Sequence, residues 1–268
     1  MLEVLSYSFM QRAFIAGNII AVIAPMLGVF LVLRRLALMG NTISHVALAG
    51  VAIGLLLGVY PVYTAIIVSV LAALAIEKFR TSYRNYSELS LSIILAAGLG
   101  LATLLISMLG NSAQIYSYLF GSITLVTSQD VYLVLGLGLV IIALVTYNYY
   151  GFFSITFNEE DASLSGLNVS LLNVTFIVLV SLAVSLAIRI IGGLLTASLI
   201  TLPVATGLQV AGSFKQTMLY SILFAVLAVN LGLVTSFYFD LAPGGAIILT
   251  GVGLLLLVMT GKNLKVLG

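Results

Sequence analysis

In RRLALMGNTISHVALAG, residues 34–50, an asparagine stands four residues before a histidine, the only histidine in the chain. Positions four apart share a helical face, so Asn41 and His45 would hold an amide oxygen and an imidazole nitrogen side by side, with Ser44 pointing elsewhere. The flanking residues are apolar and Arg34 and Arg35 precede them. If Arg35 marks a membrane interface, His45 lies ten residues on, about 15 Å deeper and near the bilayer midplane. An ionisable group at that depth is expensive unless it lines a path or meets a partner, which makes the pair a candidate site. The alternative is a neutral histidine bonded to a neighbouring helix, with Asn41 as interhelical glue.

Two further stretches carry polar chemistry. GGLLTASLITLPVATGLQVA, residues 192–211, contains Thr196, Ser198, Thr201 and Thr206 together with Pro203. A mid-helix proline removes a backbone hydrogen bond and frees carbonyls that a translocation path can use. The hydroxyls would line that path or bond back to their own backbone. EEDASLSG places Glu160, Ala162 and Gly166 in an E-x-A-x-x-x-G spacing, with Glu159 and Asp161 beside them. Acids suit a helix N-terminus and Gly166 suits its end, so a short helix is expected there.

Several functions are excluded or disfavoured. No G-x-x-x-x-G-K-[ST] occurs, so the chain has no P-loop for ATP. One histidine, no cysteine and no H-E-x-x-H argue against a self-contained metalloenzyme. Ser44 and His45 cannot face each other on a helix, which disfavours an intramembrane serine protease. A net charge of +2 gives no basic patch for nucleic acid.

The elements that must position these residues are membrane helices. Of 268 residues, 62% are hydrophobic and 7% charged, against about 25% charged in soluble domains. Without tryptophan, the thirteen tyrosines must supply any interfacial belt. Nine apolar runs emerge at 14–33, 41–60, 61–76, 89–109, 131–150, 171–191, 192–210, 218–239 and 242–260. The sixth and seventh are joined by only IRIIGG, so eight or nine transmembrane helices are expected in one membrane domain spanning 1–268, an all-α polytopic protein. Residues 115–126 are too short to span and read as a re-entrant or interfacial piece. Gly50, Gly54 and Gly58 repeat every four residues, a spacing for close helix packing. Glu3 precedes the first run with no basic n-region, so a removable signal peptide is not expected.

With nine crossings, Arg34, Arg35, Lys78, Arg80, Arg84, Lys215, Lys262 and Lys265 share one side, and only Arg12 and Arg189 fall opposite. Lysine and arginine bias then sets the N-terminus outside and the C-terminus in the cytoplasm. The longest polar connection, residues 154–170, becomes cytoplasmic.

These residues resemble a known family, the permease subunits of bacterial and archaeal ABC importers for zinc, manganese or ferrous iron. The resemblance rests on LGVFLVLRRLALMGNTISHVALAGVAIG, on SYLFGSITLVTSQD, on residues 157–211 with IGGLLTASLITLPVATG, and on NLGLVTSFYFDLAPGGAIILTG. It implies the family's permease fold in the cell membrane and a homodimer whose two copies form the path. It further implies cytoplasmic ATP-binding subunits and an extracytoplasmic metal-binding protein. A divalent metal would be the transported substrate, ATP would be used by the partner, and no cofactor would be covalently bound.

On that resemblance His45 and Asn41 contact the metal, and Thr196, Ser198, Thr201 and Pro203 line the path. Glu159, Glu160, Asp161, Ala162, Ser165 and Gly166 belong to the coupling helix that docks on the ATPase. Asn41 stands where the family usually has aspartate and offers a neutral carbonyl in place of a charged oxygen. Imidazole with oxygen ligands fits all three metals, so affinity order does not choose among them. The alternative is an ATP-independent secondary transporter or channel for a cation. An intramembrane enzyme and a quinone-type structural subunit are more distant readings.

Overall fold

A computed structural model describes residues 6–82, 87–110 and 113–266. Glu3 and Arg84 lie outside the described residues, as does the side chain of Lys265. Twelve helices succeed one another: α1 (Ser8–Leu33), α2 (Ala37–Leu57), α3 (Pro61–Ser82), α4 (Ser87–Leu109), α5 (Ala113–Phe120) and α6 (Ser128–Tyr147), then α7 (Tyr149–Phe157), α8 (Glu159–Leu164), α9 (Val169–Ile191), α10 (Thr196–Val210), α11 (Phe214–Phe239) and α12 (Pro243–Val266).

Eight of these are long and apolar enough to cross a membrane, namely α1 to α4, α6, α9, α11 and α12. Bundles of this kind are needed because a bilayer offers no water to satisfy exposed backbone groups. The three helices that are mainly enclosed by others, α1, α2 and α9, form the centre, and α12 is the least enclosed of the eight.

Each expected run overlaps one of these helices, although α1, α3 and α12 extend beyond their runs at one end, and the helix at the seventh is too short to be a full span. There the chain leaves helical conformation at Gly192, whose φ is +92°, and resumes as α10 only at Thr196. Fifteen residues reach about 22 Å, short of a hydrocarbon core of about 30 Å. The third run ends later than expected because Arg80 pairs with Glu77 one turn back, at 2.9 Å, so the charges continue the helix.

The α9–α10 break would strand amides and carbonyls, and α5 supplies their partners. Gly193 donates to the Tyr118 carbonyl at 2.7 Å, Leu194 to that of Leu119 at 3.2 Å, and Ser122 returns a bond to Arg189 at 3.3 Å. This approach needs glycine: a Cβ on Gly192 would lie 2.4 Å from the Leu119 oxygen, and one on Gly121, 2.1 Å from the Ile190 oxygen. Residues 115–126 therefore form a short helix and a loop that seal the break without spanning.

The opposite end is built on rings. Phe30 of α1 meets Phe152 of α7 at 5.9 Å and Phe176 of α9 at 6.0 Å, both edge-on, and such pairs contribute about 0.5–1.5 kcal/mol each beyond area burial. Arg34, Arg80, α8, Lys215 and Lys262 gather at this end, while Arg12 and Arg189 lie toward the other.

Gly192→Ala adds a methyl to a left-handed residue already against a carbonyl, and it is expected to lower thermal stability in detergent by about 2 kcal/mol or more. Gly100→Ala, whose Cβ would meet nothing within 4 Å, should leave the unfolding midpoint unchanged or slightly raised. Equal midpoints for the two variants would show that the glycine seal carries no stability.

Candidate functional site

Three faces of α2 are committed to neighbours. Gly50 and Gly54 let α3 approach so closely that added Cβ atoms would meet Ala65 and Pro61 at 2.7 Å. Gly98 of α4 fits against Val46, while Gly40 lies opposite Ala197 and Ile200 of α10. Ser44 is wholly buried and donates to the Gly193 carbonyl at 2.7 Å. Asn41 and His45 each follow one residue after Gly40 and Ser44, about 100° further round the helix. They are half-buried, on a flank that these neighbours leave partly open.

Of the path residues expected on α10, Ser198 and Thr201 are half-buried. Thr196 is buried, and its hydroxyl is used on the Gly192 carbonyl at 2.8 Å. Pro203 is also buried, inside a helix that continues past it. Thr201 bonds back to Ala197 at 3.1 Å. Since Ser44 meets Gly193 and Gly40 meets Ala197, Ser198 and Thr201 lie from the level of Gly40 and Asn41 toward the end bearing Arg34.

Among the described residues, no group of three or more histidine, cysteine, aspartate or glutamate side chains could hold a metal. One imidazole and one amide oxygen from a single chain leave the coordination of a transition metal incomplete.

The acidic segment forms the short helix expected of it. Asn158 caps α8 by accepting from the Glu160 amide at 2.9 Å, and Gly166 follows the end with φ +84°. Glu160, Asp161, Ser165 and Gly166 are exposed, whereas Ala162 packs into the core at 2% exposure. Glu159 turns inward. One of its oxygens, Oε1, accepts from Arg34 Nη2 at 2.5 Å, Arg80 Nη1 at 3.2 Å and Asn173 Nδ2 at 3.3 Å. Arg34 also donates to Asn173 Oδ1 at 2.8 Å and lies over the Phe176 ring. Partial burial alone would raise the Glu159 pKa, but Arg80 and Arg34, helped by Asn173, hold it below the usual carboxylate value. Burial lowers the pKa of Arg34 against the pull of Glu159.

A second buried pair sits at the other end. Asp130, at 3% side-chain exposure, lies 3.5 Å from Arg189 Nε and accepts from the Tyr60 hydroxyl. It also closes a capping box with Thr127 at the start of α6. Arg189 donates to the Leu125 carbonyl at 2.7 Å and stacks over Tyr118 at 4.6 Å. Sequence reasoning used Arg34 and Arg189 only as topology markers. The signal for both pairs was the scarcity of charge, since an ionised group in so apolar a chain needs a partner.

The family description "ABC 3 transport family" matches residues 6–262. The chain is 38% identical to the "Probable metal transport system membrane protein" of Treponema pallidum, over 95% of this chain and 96% of that protein. It is 29% identical to the "Manganese transport system membrane protein MntC" of Listeria monocytogenes, over 91% and 88%. Its fold matches a chain of "PsaBC from Streptococcus pneumoniae in complex with Fab" with a TM-score of 0.84 and 29% identity, over 95% and 92%.

Because its folded pKa lies below the ordinary value of 4.5, Glu159 stabilises the fold above that pH, and the contribution fades as pH falls through the folded pKa. Thermal midpoints of wild type and Glu159→Gln should therefore differ by a constant amount from pH 8 to about pH 5, then converge below about 4.5. Its side chain is 39% exposed, so solvent screening limits the difference to about 1 kcal/mol. A difference that grows on acidification would contradict the assignment.

Proposed function

The chain belongs to the ABC 3 transport family and is a multi-pass permease of a metal-ion transport system; from that premise we propose how its residues carry the ion. Two copies form the path between them, each contributing its flank of Asn41 and His45. The imidazole and amide oxygen replace part of the ion's water near mid-depth, and Ser198 and Thr201 continue the polar lining toward the Arg34 end. The observation that carries this reading is the open flank of α2: every neighbouring face is packed, yet the one bearing these two side chains is not.

Cytoplasmic ATP-binding subunits dock on the exposed face of α8, at Glu160, Asp161, Ser165 and Gly166, with Ala162 anchoring the helix from below. ATP binding and hydrolysis there drive alternate opening of the path, and an extracytoplasmic protein delivers the ion. Although too short to span alone, α10 returns the chain to the α8 end, where Lys262 of α12 meets Gln209 at 3.5 Å; with it the chain makes nine traverses, so the N-terminus lies outside and the C-terminus in the cytoplasm, in keeping with the basic residues at the α8 end. A site that conducts must bind well enough to strip water and weakly enough to release. The neutral Asn41 suits the second requirement. The substrate is a divalent transition metal, with zinc, manganese and ferrous iron all compatible with these donors.

His45→Ala, co-expressed with the ATPase and the binding protein, should lower metal accumulation at least as much as the roughly 10- to 100-fold that losing a supporting residue costs a metal site. Asn41→Asp should lower the metal concentration for half-maximal uptake, because a charged oxygen replaces a neutral one. Wild-type uptake by His45→Ala membranes, measured by mass spectrometry, would refute the site. Uptake that persists without any ATPase would favour an ATP-independent carrier.

A further inference from the structure

Glu159 joins the proposed docking helix to the helix that carries His45. It stands at the first position of α8, and its bond to Arg34 reaches the turn between α1 and α2. That turn is not slack. Arg35 takes φ +58°, the left-handed conformation that usually falls to glycine after a helix. Its amide donates to the Val32 carbonyl at 3.0 Å, and the Leu36 amide to that of Leu31 at 2.8 Å. The two bonds are the paired closure of a Schellman motif, and the accompanying apolar contact is present, since Leu31 and Leu36 are both buried. An arginine held left-handed costs about 1–2 kcal/mol, so the surroundings impose this corner. One residue later α2 begins and runs without a break through Asn41 and His45, seven and eleven positions after Arg34.

We infer that Arg34 and Glu159 are positioning residues for transport: the ion pair carries displacement of α8 through the closed α1–α2 corner to the Asn41–His45 flank. The inference rests on the reading that α8 docks on the ATPase. Three features fit a mechanical link. The Arg34 side chain is 6% exposed, so its charge is committed to Glu159 and Asn173 and not to water. Three donors on two other helices and the turn converge on one carboxylate oxygen, so Glu159 hydrogen-bonds α8 to the α1–α2 turn, α3 and α9 at once. A recess of about 350 Å³ lined by Arg34, Leu36, Arg80 and Glu159 leaves room beside the pair for it to shift.

The test uses the complete transporter, with its ATPase and metal-loaded binding protein, in proteoliposomes containing manganese. Metal accumulated per ATP hydrolysed is the readout. In Arg34→Gln, α8 remains tied through Arg80 and Asn173, so the ATPase should stay bound and hydrolysis should continue while metal per ATP falls at least fivefold. Glu159→Gln should behave alike, and Arg34→Lys should recover part of the ratio by restoring one charged donor. Glu159→Gln also serves if Arg34→Gln does not fold. An unchanged ratio, or transport and hydrolysis falling in proportion, would overturn the link. Wild-type protein that fails to hold the ATPase would instead overturn the docking reading, an outcome independent of residue 159.

Discussion

The chain breaks a helix inside an apolar bundle, and the backbone groups freed there must find partners without water. At Gly192–Leu195 that requirement is met by carbonyls of α5 and by the Ser44 hydroxyl of α2. Much of the central geometry follows. Gly121, Gly192 and Gly244 come together because any side chain would strike a carbonyl; a Cβ on Gly244 would lie 1.8 Å from the Ile191 oxygen. Ser44 is drawn to Gly193, and this fixes the rotation of α2. The next residue, His45, is thereby turned away from α10 onto the open flank. An unsatisfied amide or carbonyl in such a place costs several kcal/mol, so α5, the glycines and Ser44 form one solution and not three separate features.

Charge obeys the same economy. Two buried ion-pair clusters stand at opposite ends of the bundle, Arg189 with Asp130 and Arg34 with Glu159 and Arg80. Arg189 is one of the two basic residues that fall on the side otherwise lacking them, and its engagement with Asp130, Leu125 and Tyr118 explains why it is tolerated. Each cluster joins segments distant in sequence: the α2–α3 connection, the α5–α6 loop, α6 and α9 at one end, and the α1–α2 turn, α3, α8 and α9 at the other. Breaking the Arg189–Asp130 pair would leave a charge stranded in a low-dielectric surround, a larger loss than the pair itself contributes, whereas Glu159 is partly exposed and its pair is screened.

The long helices were legible because a spanning segment is defined by length and apolarity, which are local properties of the chain. The α8 helix was legible for a similar reason, its acids and Gly166 being standard start and stop signals. What the sequence did not reveal depended on three-dimensional partners. Run 192–210 looked like a ninth span because GGLL is apolar, yet only contact with α5 permits the chain to unwind there. The hydroxyls of Thr196, Ser198 and Thr201 are equivalent along the sequence of α10, yet the fold buries the first on the Gly192 carbonyl and leaves the others half-buried. Glu159 and Glu160 are adjacent acids, but only the first points into a pocket of guanidinium groups. The spacing of Gly50 and Gly54 did foretell a close helix contact, though not that α3 would be the partner.

The incompleteness of the metal site is itself informative about mechanism. A resident metal is held by a closed set of ligands whose orientation is fixed by further hydrogen bonds. Here Asn41 and His45 occupy an open flank, and among the described residues no group of three or more histidine, cysteine, aspartate or glutamate side chains could hold a metal. Such a pair is poorly suited to retaining an ion and well suited to meeting one in passing. In the proposed pair of permeases, two imidazoles and two amide oxygens would face a shared path without adding negative charge. The attraction for a divalent cation would then come from coordination alone, so it would depend on how closely the two flanks approach. A site whose affinity is set by helix separation is one that movement at the α8 end can tighten or release.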